Sequence, residues 1–206
     1  MVDSFMQIAR DSWGLIPLMI VILMIGLAVS IERLYYFKRN IHSGLNVEHD
    51  LQTIEDGNLE KTRQLAEHYE NSIQGKFVSA ALPLTGSSVE VLDRALEQNI
   101  MFQLPKVDRN LWVLDTCVTL GPLMGLLGTI IHMIEAFSVL SSKMSQGAHS
   151  VTGPIAHALI ATAMGLCIAI VCVIFLNLFN KRVRALLLQL ELIKSMLISR
   201  LARTSA

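Results

Sequence analysis

The sequence has few charged residues and no excess of either sign. Asp, Glu, Lys and Arg make up 17% of its 206 residues, whereas soluble domains contain about 25%. Its 17 basic side chains balance 17 acidic ones, so charge gives no reason to expect nucleic-acid binding. Hydrophobic residues reach 52%. This composition predicts a chain that lies partly in a membrane and partly in water.

Cysteine is also scarce, and each of the three cysteines lies within an apolar run (Cys117, Cys167 and Cys172). Their number is odd and no CxxC pair occurs, so neither a disulfide framework nor a thiolate zinc site is supported. We expect them to be small core residues. The sequence also lacks a nucleotide-binding loop, a GxSxG elbow and an HExxH pair, which predicts no enzymatic activity and no cofactor.

Three apolar runs are long enough to cross a bilayer, which takes about 20 residues. The first is not expected to be a cleavable signal, because Asp3 and Asp11 outweigh Arg10 before it and no small-residue cleavage pattern follows it. The predicted fold class is an all-α integral membrane protein with three transmembrane helices and long cytoplasmic helical extensions. The predicted segments are a periplasmic N-terminus (1–13), helix one (14–36), a cytoplasmic helical domain (37–110), helix two (111–140), a periplasmic loop (141–152), helix three (153–180) and a cytoplasmic amphipathic helix (181–206).

The orientation follows from the basic residues, which accumulate on the cytoplasmic side of membrane proteins. Lys38 and Arg39 follow the first run, and three basic residues, Lys181, Arg182 and Arg184, follow the third. The segment 141–152 contains one Lys and no Arg. We therefore expect the N-terminus in the periplasm, and the segment 37–110 and the C-terminus in the cytoplasm.

The cytoplasmic segments are predicted to be helical. Apolar residues recur there at helical spacing, namely Leu51, Ile54, Leu59 and Leu65, and later Val89, Leu92, Leu96 and Ile100. Spans two and three are expected to continue as helices into the cytoplasm, because no helix breaker separates them from their polar flanks.

Small residues in spans two and three predict close helix packing. Gly121 and Gly125 form a GxxxG step, and Ala161, Gly165 and Ala169 form a second small-residue stripe. Such stripes let helices approach closely in lipid. We expect self-association, because three spans are few for a lone transporter; a close-packed monomer is the alternative.

Polar residues share a face with these small residues on both spans. Polar groups in hydrocarbon are costly and usually face protein or water, so each face indicates a hydrated passage or a cavity that holds another helix. The faces comprise Gly125, Thr129, His132 and Glu135 on span two, and Pro154, His157, Ala158, Ala161, Thr162 and Gly165 on span three.

Several of these residues, and also Asp115 and Pro122, have a simpler interpretation. Thr129 and Thr162 would then bond only the carbonyls of their own helix, Glu135 would be solvated at the outer interface, and His157 would make an interhelical hydrogen bond. Asp115 would lie at the inner interface, and Pro122 and Pro154 would be kinks and not hinges.

Three other functions fit single features of the sequence. His132 and His157 are conceivable haem ligands, although no CxxCH occurs. With Glu135 they are also suitable ligands for a divalent-metal carrier. The third alternative is a membrane scaffold that does not conduct.

Two stretches resemble signatures of the MotA/TolQ/ExbB proton-channel family, most closely its ExbB and TolQ branch. Residues 120–130 read LGPLMGLLGTI and are followed by Glu135-Ala136-Phe137, which resembles the family's second span. Residues 154–166 read PIAHALIATAMGL and resemble the third span, which commonly reads GIAEALxATAxGL. Glu32-Arg33-Leu34 is similar to the exit of the first span. The order and spacing match over nearly the whole chain.

The resemblance implies a ring, typically a pentamer, around the single membrane helices of a small ExbD/TolR-like partner. An aspartate on the partner helix would bind and release protons, and Thr129 and Thr162 fall on the family's threonine positions. Proton flow would move one part against the other and so energise a periplasm-spanning protein of the TonB or TolA type. The predicted function is therefore a stator subunit of a proton-driven motor in the bacterial inner membrane, serving outer-membrane transport or envelope maintenance.

The sequence departs from the family pattern at His157, where the third span usually has a glutamate. The Gly-Pro order at Gly153-Pro154 is also changed. Because histidine titrates near neutral pH, the predicted proton path retains His157, together with Thr129, Thr162, Glu135 and His132. The residues predicted to serve helix packing or hinge motion are Pro122, Gly125, Pro154, Ala161 and Gly165.

Overall fold

The computed structural model describes residues 14–41, 44, 46–54, 58–142 and 152–202. The predicted periplasmic N-terminus, 1–13, lies outside the described residues. So does most of the predicted periplasmic loop, 141–152, of which only the two ends are described.

Every regular element in the described part of the chain is helical, which confirms the all-α prediction. The helices are α1 (Leu15–Asn40), α2 (Val47–Thr53), α3 (Leu59–His68), α4 (Ile73–Ala81), α5 (Val89–Val107), α6 (Leu111–Ser142) and α7 (Thr152–Leu201), with a 3-10 turn at Leu82–Leu84. Three of the short helices begin at a residue whose side chain accepts a hydrogen bond from the N–H three residues on. These caps, Asn58, Ser72 and Ser88, explain where α3, α4 and α5 start.

In the described part of the chain, three helices are long and apolar enough to cross a membrane, as predicted. They are α1, α6 and α7, and α7 alone contains 50 residues. Large aliphatic side chains remain exposed along them, among them Met24, Leu126 and Ile174. Such side chains are suited to contact with lipid or with another membrane helix, because neither requires a hydrogen bond.

The chain divides into two compact units, each made of two stretches of sequence. The first unit contains residues 1–31 and 110–177, and therefore the apolar parts of α1, α6 and α7. The second contains residues 32–109 and 178–206, and therefore the short helices and the last part of α7.

In the second unit, the last part of α7 packs against the short helices. Gln74 of α4 donates a hydrogen bond of 2.9 Å to the side chain of Gln189, and Lys194 forms an ion pair with Glu97 of α5. The buried residues of this last part of α7 recur every three or four positions, as expected for an amphipathic helix. They include Val183, Leu186, Leu190, Ile193 and Leu197.

The predicted amphipathic pattern of the short helices holds in part. Leu92, Leu96 and Ile100 of α5 are buried, whereas Val89 at its first turn is 49% exposed. Leu59, at the first position of α3, is likewise exposed. In both cases the apolar residue occupies the helix start, which the core does not cover.

The predicted helical continuation is confirmed for span three and wrong for span two. α7 runs without a break from Thr152 to Leu201. By contrast, α5 ends at Val107 and Asn110 adopts the left-handed conformation, with φ of 64°, immediately before α6. Asn tolerates this conformation better than most residues, and the preceding helix has already ended at Val107, two residues after Pro105.

Candidate functional site

In the first unit, α6 and α7 approach so closely that glycines of one helix contact the backbone of the other. A Cβ built on Gly121 would lie 2.7 Å from the carbonyl oxygen of Gly165, and one built on Gly165 would lie 3.0 Å from Cα of Gly125. These distances leave no room for a side chain. We call this contact, formed by Gly121, Gly125, Gly128, Ala161 and Gly165, the glycine seam; backbone approach of this kind is how small residues hold membrane helices together.

Helix α1 packs beside the seam through small residues of its own. A Cβ on Gly26 would lie 2.8 Å from Sγ of Cys172 on α7 and 3.7 Å from Sγ of Cys117 on α6. Both thiols are buried, as predicted for small core residues, whereas Cys167 is exposed.

The two predicted threonines differ in what they bond. The hydroxyl of Thr162 lies 3.4 Å from the carbonyl oxygen of Gly125 on the facing helix, and equally far from that of Ala158 on its own helix. The hydroxyl of Thr129 donates to the carbonyl of Leu126, one turn earlier, at 2.7 Å. Thr162 is therefore part of the seam, whereas the hydrogen bond of Thr129 stays within α6.

A pair of histidines lies between α6 and α7. The ring of His132 is 5.7 Å from the ring of His157, centroid to centroid. Nδ1 of His132 lies 3.5 Å from a carboxylate oxygen of Glu135, one turn further along α6. His132 is only 1% exposed, whereas the Glu135 side chain is 44% exposed. The structure thus brings together three of the five residues predicted for the proton path.

The two prolines occupy different positions in their helices. Pro122 lies inside α6, where it cannot donate to the carbonyl four residues earlier. Pro154 is the third residue of α7, and at that position its missing N–H would have had no partner within the helix. Pro154 therefore breaks no hydrogen bond of α7, and Pro122 remains the better candidate for a kink or hinge.

Two residues of α1 resemble those of the seam and are not among the residues predicted from the sequence. Gly26 and Ser30 are four residues apart, Ser30 is 1% exposed, and its hydroxyl donates to the carbonyl of Gly26 at 2.8 Å. The sequence does contain a signal for this packing, since a glycine and a serine four residues apart form a small-xxx-small step. The step is difficult to recognise because the rest of the first span is uniformly apolar.

Metal binding gains no support from the arrangement of side chains. Within the ranges that the structure describes, no three His, Cys, Asp or Glu side chains are grouped so that they could hold a metal ion. Although His132, His157 and Glu135 are neighbours, they do not meet that requirement.

The fold and the seam define a helical membrane protein, and comparison with known proteins identifies its class. Residues 69–192 match the MotA/TolQ/ExbB proton channel family. Because this match covers more than half of the chain, the protein belongs to that family.

Relatives with known names fall in the ExbB and TolQ branch. An ExbB-like biopolymer transport protein of Synechocystis is 39% identical over 48% of this chain and 49% of its own length. Biopolymer transport protein ExbB of Xanthomonas campestris is 36% identical over 46% of this chain and 38% of its own. Tol-Pal system protein TolQ of Haemophilus influenzae is 33% identical over 45% of this chain and 41% of its own length. The chain thus spans about half the length, or less, of these relatives.

Proposed function

We propose that this chain is the ring-forming stator subunit of a motor driven by the proton-motive force. Several copies, typically five, would surround the membrane helices of a small ExbD/TolR-like protein that carries an intramembrane aspartate. Proton flow through the ring would then energise a periplasm-spanning effector of the TonB or TolA type. The proposal places the ring in the bacterial inner membrane, with the N-terminus in the periplasm and the C-terminus in the cytoplasm.

The observation that carries this proposal is the polar line beside the glycine seam. In a member of a proton-channel family, α6 and α7 carry four polar side chains that we call the polar line. The hydroxyl of Thr162 lies at the seam, and His132, His157 and Glu135 lie close to one another. Polar groups at membrane depth usually face protein or a water-filled cavity. A line of them is what a proton path requires, whereas a scaffold would need only the seam.

The side chains of the line, together with Thr129, suit the steps of proton transfer. A hydroxyl both donates and accepts, so Thr129 and Thr162 would serve a partner carboxylate in either protonation state. The carboxylate would enter the ring protonated or hydrated, because a bare charge in hydrocarbon costs several kcal/mol. Since a proton that crosses 100 mV releases about 2.3 kcal/mol, we expect several protons to be used in each working event.

Native mass spectrometry of the protein, purified gently from its host, tests the assembly. We expect a ring, typically a pentamer, bound to a small single-span protein with an intramembrane aspartate. A stable monomer, or a ring without such a protein, would contradict the stator proposal and leave a membrane protein of this family with another role.

Proton flux in liposomes tests conduction. The complex should acidify vesicles under an imposed potential, and changing the partner's intramembrane aspartate to asparagine should abolish the flux. The matched control is Cys167→Ala, which alters an exposed residue outside the seam and should leave the flux unchanged. A complete ring that binds its partner but conducts no protons would favour the scaffold alternative.

A further inference from the structure

The ring nitrogens of the buried His132 have no hydrogen-bond partner among the residues that the structure describes. Its side chain is 1% exposed, and both Nδ1 and Nε2 lack a hydrogen bond. Buried polar atoms are nearly always paired, and an exception calls for an explanation such as a bound ion, a water or a chemical role. The neutral imidazole has one nitrogen that donates and one that accepts, so both capacities of His132 remain unused.

Two titratable groups lie next to this ring in the described part of the first unit. His157 of α7 lies 5.7 Å away between ring centroids, and a Glu135 oxygen lies 3.5 Å from Nδ1. The part of α1 that belongs to the first unit contributes none, because residues 14–31 contain no titratable side chain. Asp115 and the cysteines lie several helical turns from the pair along α6 and α7. Among the residues that the structure describes, the titratable groups next to His132 are therefore one imidazole and one carboxylate.

We propose that His132 and His157 form a single proton-binding site that holds one proton between them. The proton leaves a ring nitrogen of one imidazolium and binds the lone pair of a nitrogen on the other, directly or through one water. One N–H bond breaks and one forms, and the charge of the pair stays at plus one. The nearby Glu135 carboxylate balances that charge, so the occupied site is neutral as a whole. This deepens the proposed function and rests on it for the role of the site in conduction.

The shared site would also limit the number of bound protons to one. A second proton would place two positive charges on facing helices in a medium of low dielectric constant, where their repulsion is strong. The glycine seam lies on the same pair of helices and depends on their close approach. We therefore expect the doubly protonated pair to push α6 and α7 apart, so that strongly acidic conditions weaken the seam and lower proton flux.

Nitrogen NMR of histidine-labelled protein in lipid nanodiscs, titrated from about pH 5 to 8, tests the shared proton. In the parent, the signals of His132 and His157 should both follow the same two steps, separated by about one pH unit or more, as expected for coupled groups. In His132→Gln and His157→Gln, the remaining histidine should titrate in one step. His68→Gln alters a histidine of the second unit and should leave both steps unchanged.

Several results would overturn the proposal. Independent single steps for the two histidines in the parent would mean that they share no proton. This result is obtained on the parent protein alone, so it does not depend on whether a variant folds. A His132 that stays neutral throughout would exclude it from proton binding. If added Zn²⁺ shifted both signals at equimolar concentration, and a chelator were needed to obtain the titration, the pair would be a metal site instead.

The flux assay separates this inference from the proposed function. Flux that persists in a protein whose histidines titrate independently would end the shared-proton inference and leave the stator function in place. Coupled titration in a complex that conducts no protons would support the shared proton and contradict the proposed stator function.

Discussion

At the scale of single residues, the glycine seam is sensitive to one added methyl group. In Gly165→Ala, the new Cβ would meet the carbonyl oxygen of Gly121 and the backbone of Gly125, none of which is a flexible side chain. Overpacking of this kind typically costs about 1–3 kcal/mol. We expect a lower unfolding temperature in detergent, measured by circular dichroism.

Gly153→Ala is the matched control for that substitution. Gly153 lies in the first turn of the same helix, and a Cβ there meets nothing within 4 Å. Since alanine is a better helix former than glycine, the stability of Gly153→Ala should be equal to that of the parent or slightly higher. Equal losses for the two variants would show that the seam does not hold the helices together.

The two threonines predict different outcomes for the same substitution. Thr162→Val removes a hydroxyl that lies 3.4 Å from the backbone of the facing helix, and interhelical hydrogen bonds in membranes contribute about 0.6 kcal/mol on average. Thr129→Val removes only a bond within α6, so its stability should be unchanged. If Thr129 serves the proton path as proposed, however, its valine variant should conduct several-fold less while the ring stays intact.

At the scale of elements, one lysine fixes the last part of α7 to α5. Nζ of Lys194 lies 3.1 Å from the carboxylate of Asp93 and also contacts Glu97. Replacing it in Lys194→Met should cost about 1.5 kcal/mol, the lower end of the range for hydrogen bonds to charged groups, because both carboxylates remain partly exposed. Lys106→Met, in the last turn of α5, serves as the control, and thermal unfolding measures both.

The same contact predicts a loss of stability in alkaline solution. Burial by itself lowers the pKa of Lys194, but the hydrogen bonds to Glu97 and Asp93 outweigh it, so the pKa is raised above its usual 10.5. A raised pKa stabilises the fold fully below the value of the unfolded chain, and this contribution disappears as the pH rises through the folded value. The difference between parent and Lys194→Met should therefore shrink above about pH 10.5. A difference that stays constant there would show that the ammonium charge is irrelevant.

The elements also show where prediction from the sequence succeeds and where it fails. The unbroken α7 was predictable, because leucines recur at helical spacing well beyond the apolar run. The break before α6 was missed, although Pro105 in the last turn of α5 is a sequence signal for it. The positive φ of Asn110 is permitted but not required by its identity. The exposed Leu59 and Val89 show a second limit: periodicity identifies an amphipathic helix, but not which of its turns the core covers.

The site was predictable in its members but not in its pairings. The stripes of small residues on α6 and α7 were visible in the sequence, and so were the polar residues beside them. Spacing within one helix cannot show which residue of the next helix lies opposite. That His132 is buried beside His157, and that Thr162 bonds across the seam whereas Thr129 does not, follows only from how the helices are packed.

At the scale of the whole molecule, the proposed orientation can be tested with single cysteines. In a background where the native cysteines are replaced by alanine, Ser141→Cys at the end of α6 should react with a membrane-impermeant maleimide in intact cells. Ser195→Cys in the last part of α7 should react only after the membrane is permeabilised. The reverse pattern would contradict the orientation, which rests on the distribution of basic residues.

The tight seam has a consequence for genetics. Because the helices are in contact there, atoms added on one helix can be compensated by removing atoms from a residue on another. A Cβ added at Gly128 would lie 2.6 Å from Cβ of Ala161 and 2.7 Å from the end of the Leu15 side chain. A defect in Gly128→Ala should therefore be suppressed by removing atoms elsewhere. Revertant selection should recover Ala161→Gly, or a shorter residue at position 15, so a map of compensating mutations would itself trace which helices touch.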